Sequence, residues 1–223
     1  MLVPLSLLAG LAGAVQALTG EQAAAFFSTS PAGDVLGDTV RLPTFDFSIV
    51  QNSTHALFVV NATSSGPSAV GWLGTGHGTS MGNADFVLAW PVVSGASVAW
   101  TLSHRLPGGG HTMPQPTGST SEFYTVVPEL TTQDASSRFA AVAFSRLRDP
   151  GASYPMQSGV TAAALDSAQT SFIYASSSSK PNGAGETATI IQHNQGMGTT
   201  TLDLSKAFIT ASATAGEDGI DRN

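Results

Sequence analysis

Apolar residues recur along the chain in short runs separated by turn residues, and this pattern predicts strands rather than helices. Segment 39–50 alternates in part, and Pro43 within it indicates an edge strand or a bulge. Segment 55–61 contains a continuous apolar run at 57–60, and segment 86–90 is apolar throughout, as in strands buried on both faces. Further strands are predicted at 69–73, 97–102, 123–127, 138–147, 171–175, 186–192 and 199–204. The sequence therefore predicts an all-β fold, most simply a β-sandwich.

Helical patterns are confined to two short segments, 21–27 and 162–168. Neither an internal repeat nor a linker divides the chain. Roughly 200 residues are enough for one all-β domain with its own core. We therefore expect a single domain over 18–215, followed by a short tail over 216–223.

The N-terminal segment 1–17 is apolar with small residues at its end, which predicts a secretory signal peptide. It is too short for a comfortable membrane span, and no later segment approaches the roughly 20 apolar residues that a bilayer requires. The mature protein is therefore expected outside the cell, without a membrane span. Two N-glycosylation sequons begin at Asn52 and Asn61, and we expect both asparagines near solvent.

The composition of the chain excludes several classes of function. The chain has no cysteine, which excludes disulfides, thiolate chemistry and cysteine-ligated metals. A net charge of -7 argues against nucleic-acid binding, because no basic stripe is present to contact phosphates. Few charged residues and abundant Ser, Thr, Gly and Ala are typical of a protein exported by a microbe such as a fungus.

Glycines surround one methionine, Met81, just before the predicted strand 86–90. Five of the residues in 71–82 are glycine, so the backbone there can adopt a positive φ and approach another group closely. Most methionines simply fill gaps in a core. The alternative is that the thioether reaches from this loop into a pocket and binds a metal.

The five histidines form no dense metal motif. His193 follows the apolar segment 186–192 and opens a loop that contains glycine, a position similar to that of Met81. It is either a surface turn histidine or a ligand. A thioether and an imidazole on opposite sides of one pocket suit six-coordinate haem iron, which transfers electrons and leaves no position for oxygen. Attachment would be non-covalent, because the Cys-x-x-Cys-His motif is absent.

Segment 74–91 resembles the methionine-ligand segment of the DOMON superfamily, and in particular the haem b cytochrome domain of fungal cellobiose dehydrogenases. Segments 103–114 and the surroundings of His193 are similar to that family as well, and the resemblance extends over 36–208. It implies an immunoglobulin-like antiparallel β-sandwich that binds haem b between Met81 and His193. The competing ligands are Met113, Met197, His77 and His111.

Other residues near these motifs are expected in the haem site. Gly78 and Gly82 would let the backbone pass close over the macrocycle. His111 stands where the family often has a tyrosine that bonds a haem propionate. Arginines pair well with carboxylates, although a solvated surface position is the common alternative. The expected pocket walls are Trp72, Phe86 and Trp90, and the candidate propionate partners are Arg105, Arg146 and Arg148.

The function expected from the resemblance is relay of single electrons from an extracellular reductant or dehydrogenase to an oxidative enzyme, ferric iron or a quinone. The family's cytochrome domains commonly carry a disulfide, which this chain cannot form. No dinucleotide-binding glycine motif is present, so we expect a separate redox partner such as a flavin dehydrogenase or a polysaccharide monooxygenase.

Two other functions stay open at this point. One is a haem-free carbohydrate-binding β-sandwich, against which the presence of both candidate ligands argues. The other is a copper oxidase acting on polysaccharide, which requires an N-terminal histidine where the predicted mature chain has Leu18. A hydrolase is not indicated, because the chain has no nucleophile elbow.

Overall fold

The computed structural model describes residues 18–28, 35–62, 65–108, 112–155, 165 and 168–208. The predicted signal peptide 1–17, the tail 216–223 and most of the predicted helix 162–168 lie outside these residues. In the described part of the chain, none of the helices is long and apolar enough to cross a membrane.

The described residues form eleven strands and two short α-helices. The strands are β1 (Leu36–Arg41), β2 (Asp46–Gln51), β3 (His55–Ala62), β4 (Trp72–His77), β5 (Asp85–Ser94), β6 (Ser97–Leu106), β7 (Gln115–Pro116), β8 (Thr125–Val126), β9 (Ala140–Leu147), β10 (Thr170–Ser177) and β11 (Gly196–Leu202), and the helices are α1 (Gly20–Phe27) and α2 (Thr120–Phe123).

The strands form two antiparallel sheets that pack face to face. One has five strands in the order β1-β2-β3-β9-β8, and the other has six in the order β11-β10-β4-β5-β6-β7. Aromatic residues from both sheets meet in the core, and the Phe47 and Phe172 ring centroids are 5.4 Å apart. The expected all-β sandwich is confirmed.

The outer face of the five-stranded sheet is covered by α1. This helix begins at a capping box, in which Thr19 and Gln22 bond to each other's backbone N–H groups. Leu18 and Ala23 pack there against Val50 and Leu57. The outer face of the six-stranded sheet has no such helix among the described residues, which leaves room there for a site.

Two strand predictions are corrected near the N-terminal half. The predicted strand 39–50 is two strands, β1 and β2, separated by a turn in which the Leu42 N–H donates to the Phe45 carbonyl at 2.9 Å. Pro43, which has no N–H for a sheet ladder, lies in that turn. The predicted strand 69–73 begins later, because the glycine-rich stretch itself forms β4.

Segment 182–195, which we call the strap, is the largest departure from prediction. Its apolar part, 186–192, was expected to be a strand, yet it forms none. The strap instead crosses the outer face of the six-stranded sheet, where Ile190 packs against Trp72 and Trp90. Side chains of the sheet donate to the Ala184, Glu186 and Ile191 carbonyls of the strap. Its Gly185 and Thr189 carbonyls accept from N–H groups within the strap itself.

Candidate functional site

An open cavity of about 270 Å³ lies on the outer face of the six-stranded sheet. Its floor is formed by outward residues of three adjacent strands, β10, β4 and β5, and the strap and the β4–β5 loop form its sides. The lining is mostly apolar. The floor residues are Gly74, Phe86, Leu88, Ile173 and Ala175.

Strand alternation explains why an apolar floor lies here. Phe86 and Leu88 on β5 point outward, whereas Val87 and Ala89, which alternate with them, point into the core. Gly74 lies opposite Leu88 in the register. A Cβ at position 74 would overlap Leu88 Cδ2, so the absence of a side chain there makes room for the floor.

Met81 reaches the cavity from the β4–β5 loop. It packs against Phe86 and Ala84. The loop is closed by Asn83, whose Oδ1 accepts from the Ser80 N–H and hydroxyl, each at 3.0 Å. The thioether is therefore presented by a loop with its own hydrogen bonds rather than by the sandwich core.

His193 reaches the same cavity from the strap. The next residue, Asn194, fixes this end of the strap, because its Oδ1 accepts from the Ser178 N–H at 3.0 Å and from the Ser177 hydroxyl at 3.1 Å. The Trp72 indole N–H donates to the Ile191 carbonyl at 3.0 Å. The fold thus brings the two predicted ligands, far apart in sequence, to one cavity.

Position distinguishes the competing histidines but not the competing methionines. Met113 and Met197 also line the cavity, so all three methionines in the described part of the chain face it. His193 is the only described histidine that does so. His77 lies at the end of β4 with its ring against Phe172, and burial lowers its pKa. His111 lies outside the described residues.

The predicted walls and glycines have different roles. Trp72 and Phe86 line the cavity, whereas Trp90 is buried against Trp72 and Ile190 and does not line it. Gly78 has a φ of +141°, and a Cβ there would lie 2.8 Å from the Ala84 backbone, so only glycine suits the position. A Cβ at Gly82 would have open space. Neither glycine lines the cavity, which differs from the predicted passage over a macrocycle.

The predicted propionate partners do not line the cavity. Arg105 is 2 % exposed, and its guanidinium donates to protein acceptors on β6, the 113–114 segment and the strap. Burial lowers its pKa to about 10. The guanidinium of Arg146 lies over the Phe58 and Tyr154 rings, and Arg148 donates to the Asn52 carbonyl at 3.0 Å. The predicted pairing with a carboxylate therefore does not match the positions of these side chains.

A buried polar network, which the sequence analysis missed, lies on the opposite side of β5 from the cavity floor. His104 Nε2 and the Tyr154 hydroxyl bond the two oxygens of Asp85, at 2.5 and 2.8 Å. The Tyr124 and Tyr154 hydroxyls are 2.5 Å apart. Burial raises the pKa of both tyrosines. The sequence signal that could have revealed this network is strand alternation, which places Asp85 and His104 on the inward faces of β5 and β6.

The two predicted glycosylation sites differ in exposure. Asn52 is partly exposed, and its Oδ1 accepts from the Thr54 and His55 N–H groups. Asn61 lies on β3 and is 6 % exposed, so the expectation that both asparagines lie near solvent is wrong for Asn61. Glycosylation of Asn52 stays a prediction.

Comparison with known proteins decides the family. The family model described as the cytochrome domain of cellobiose dehydrogenase matches residues 40–212. The chain belongs to this family. The resemblance to the cytochrome domain of cellobiose dehydrogenases, inferred from the methionine and histidine segments, is thereby confirmed.

Two solved structures share the fold of this cytochrome domain. The cytochrome domain of Myriococcum thermophilum cellobiose dehydrogenase is 15 % identical, with a TM-score of 0.51 over 80 % of this chain and 86 % of that chain. The cytochrome b domain of pyranose dehydrogenase from Coprinopsis cinerea is 14 % identical, with a TM-score of 0.54 over 76 % and 84 %. The search of curated proteins returned no match.

Proposed function

We propose that this cytochrome domain binds haem b in the outer-face cavity, with Met81 and His193 as axial ligands, and transfers single electrons. The observation that carries the proposal is that these two side chains line one cavity from separate segments, the β4–β5 loop and the strap. Family membership supports a haem electron-transfer role, and the identity of the ligands is our own inference.

The residues present fit a haem. The lining is mostly apolar, as a macrocycle requires, and the aromatic side chains of Trp72 and Phe86 are part of it. Gly74 adds no side chain to the floor. A thioether and an imidazole are both known axial ligands of haem iron. Because the chain has no cysteine, the haem would be held without a covalent link.

The protein's own residues define what this site does. When bound, haem supplies a one-electron couple at iron. The soft sulfur of Met81 would favour the ferrous state and raise the reduction potential. With His193 as the other protein ligand, the iron would exchange electrons and would not bind oxygen. The apolar floor would exclude water from the haem.

The proposed partners are separate redox proteins outside the cell. A flavin dehydrogenase would donate electrons, and a polysaccharide monooxygenase or ferric iron would accept them. The two similar solved structures are cytochrome domains of dehydrogenases, which supports this class of donor. The Ile191 and Met197 side chains, 56 % and 66 % exposed, flank His193 and offer an apolar contact.

Substitution of each sulfur and of the imidazole tests the ligation. We expect Met81→Leu and His193→Gln to convert a six-coordinate low-spin absorption spectrum into a high-spin one. Met113→Leu and Met197→Leu are the matched controls, because both methionines line the same cavity, and they should keep the parent spectrum. A parent spectrum in Met81→Leu, with loss in one of the controls, would assign the sulfur ligand to another residue.

A further inference from the structure

Three outward side chains of β6 bond the strap at regular intervals. They are spaced two residues apart, as expected for one face of a strand, and the carbonyls that accept from them are also two residues apart. The bonds run from Thr101 Oγ1 to the Ala184 carbonyl at 2.6 Å, from Ser103 Oγ to the Glu186 carbonyl at 2.6 Å, and from Arg105 Nη2 to the Ala188 carbonyl at 2.5 Å.

These side-chain bonds between β6 and the strap stand in place of the backbone hydrogen bonds that join paired strands. The strap carries a strand-like apolar sequence, yet it forms no strand, and the next strand, β11, begins after it at Gly196. Because side chains intervene between β6 and the strap backbone, the strap stands farther from the sheet than a paired strand would. The course of the strap before His193 therefore depends on side-chain donors from β6. Directly after His193, the Asn194 and Gln195 N–H groups donate to the Ser176 carbonyl of β10, each at 3.2 Å.

Arg105 has the most connections among the three donors. Its Nε donates to Ser103 Oγ at 2.8 Å, and its Nη1 donates to the Pro114 carbonyl at 3.2 Å. Pro114 lies on the cavity wall beside Met113, and Ala188 lies on the strap shortly before the wall residue Ile190. One planar guanidinium thus ties two walls of the cavity to β6.

The charge of Arg105 makes this connection strong. The residue is 2 % exposed, and the acceptors are a hydroxyl and carbonyl oxygens. Hydrogen bonds from a charged donor are stronger than neutral ones. Because water cannot replace the acceptors of a buried donor, the buried guanidinium keeps its hydrogen bonds to the protein. The strap end that carries His193 is also held by Trp72 and Asn194.

We propose that Arg105 is a positioning residue for His193, and this rests on the proposed ligation of haem iron by that histidine. The planar guanidinium of Arg105 holds the strap and the 113–114 wall in place, so the His193 imidazole already faces the cavity when haem enters. Prior ordering of a ligand raises affinity because less conformational freedom is lost on binding. Arg105 itself touches neither iron nor macrocycle.

The test compares Arg105→Gln and Arg105→Lys with the parent protein, each saturated with haem. We expect Arg105→Gln to raise the haem dissociation rate about tenfold or more and to show a high-spin fraction in the ferric spectrum. Arg105→Lys retains the charge without the fork, and an intermediate effect is expected. The control is Arg41→Gln, an arginine on β1 whose side chain is 83 % exposed, and it should match the parent.

The spin state separates positioning from general destabilisation. A purely structural role would lower the denaturation midpoint of the haem-free protein but leave the haem-saturated spectrum unchanged, and that result would overturn the proposal. If Arg105→Gln does not fold, Ser103→Ala provides the same readout, since it removes a strap bond and an Arg105 acceptor. A parent protein without a histidine–methionine spectrum would overturn the proposed function too. A normal parent with normal Arg105 variants would overturn this inference alone.

Discussion

The two faces of strand β5 carry side chains of opposite polarity. On the inward face, Asp85 joins His104 and Tyr154 in a closed network of hydrogen bonds. On the outward face, Phe86 and Leu88 form the floor of an open apolar cavity. Asp85 and Phe86 are adjacent in the chain, yet Asp85 belongs to a hydrogen-bonded polar cluster and Phe86 to the floor of the cavity.

This difference shows how one sheet serves two purposes. Buried polar groups with all partners present specify a packed core, and removal of one partner leaves the others unsatisfied. An apolar surface that no other part of the protein covers lacks packing contacts, but it leaves space for a ligand. We therefore expect substitutions on the inward face to change stability first, and those on the outward face to change haem binding first.

The largest expected effect is on the inward face. Asp85→Ala leaves His104 Nε2 and the Tyr154 hydroxyl without their acceptor in the core, and should lower the free energy of unfolding by about 3–5 kcal/mol. Denaturant titration of the haem-free protein measures this. Asp149→Ala, at an exposed turn, is the control and should change stability by less than about 0.5 kcal/mol. A loss below about 1 kcal/mol in Asp85→Ala would show that the network is not a stabilising element.

A smaller effect is expected at the loop that carries Met81. Gly78→Ala forces a side chain onto a residue with φ of +141° and against the Ala84 backbone, which should cost about 1–3 kcal/mol and weaken haem retention. Gly82→Ala is the matched control, because a Cβ there meets open space. Equal effects of the two substitutions on unfolding and haem loss would contradict the distinction.

The outward face is tested at Gly74. An alanine there would displace Leu88 Cδ2, and the available space for it is the cavity. We expect haem affinity to fall about tenfold, equivalent to about 1.4 kcal/mol, and titration of the haem-free protein with haem measures it. Gly185→Ala, where a Cβ meets nothing within 4 Å, should leave the affinity unchanged. Parent affinity in Gly74→Ala would place the macrocycle elsewhere.

The smallest expected effect is the pH dependence that His77 adds. Burial lowers the pKa of its imidazole in the folded protein, with the positive charge of Arg146 acting in the same direction and Asp85 opposing it. The folded state thus favours the neutral form, so the contribution to stability is complete above the unfolded pKa of about 6.5. It is lost as pH falls through the folded pKa. Denaturation midpoints of His77→Gln should fall less steeply below pH 6.5 than those of the parent, and parallel profiles would contradict this account.

Sequence reasoning worked best where the pattern itself determines the structure. The segments at 55–61 and 86–90 became β3 and β5 because burial on both faces leaves little choice, and the predicted strand 171–175 became part of β10. The motif around Met81 and the position of His193 led to two residues that line one cavity.

Prediction failed where side chains from distant segments decide the outcome. The strap has a strand-like sequence, but donors on β6 and Trp72 occupy its carbonyls, and no local pattern shows this. Arg105 was expected to face a carboxylate and instead holds the strap. The network around Asp85 needs His104, Tyr124 and Tyr154 from three other segments, which only the fold brings together.

The absorption spectrum of the purified parent protein, oxidised and then reduced after haem is added, tests the central claim most directly. We predict a low-spin Soret band that shifts and sharpens on reduction, with split visible bands, as expected for iron held by one sulfur and one imidazole. A protein that takes up no haem, or that binds it only in a high-spin form, would contradict ligation by Met81 and His193.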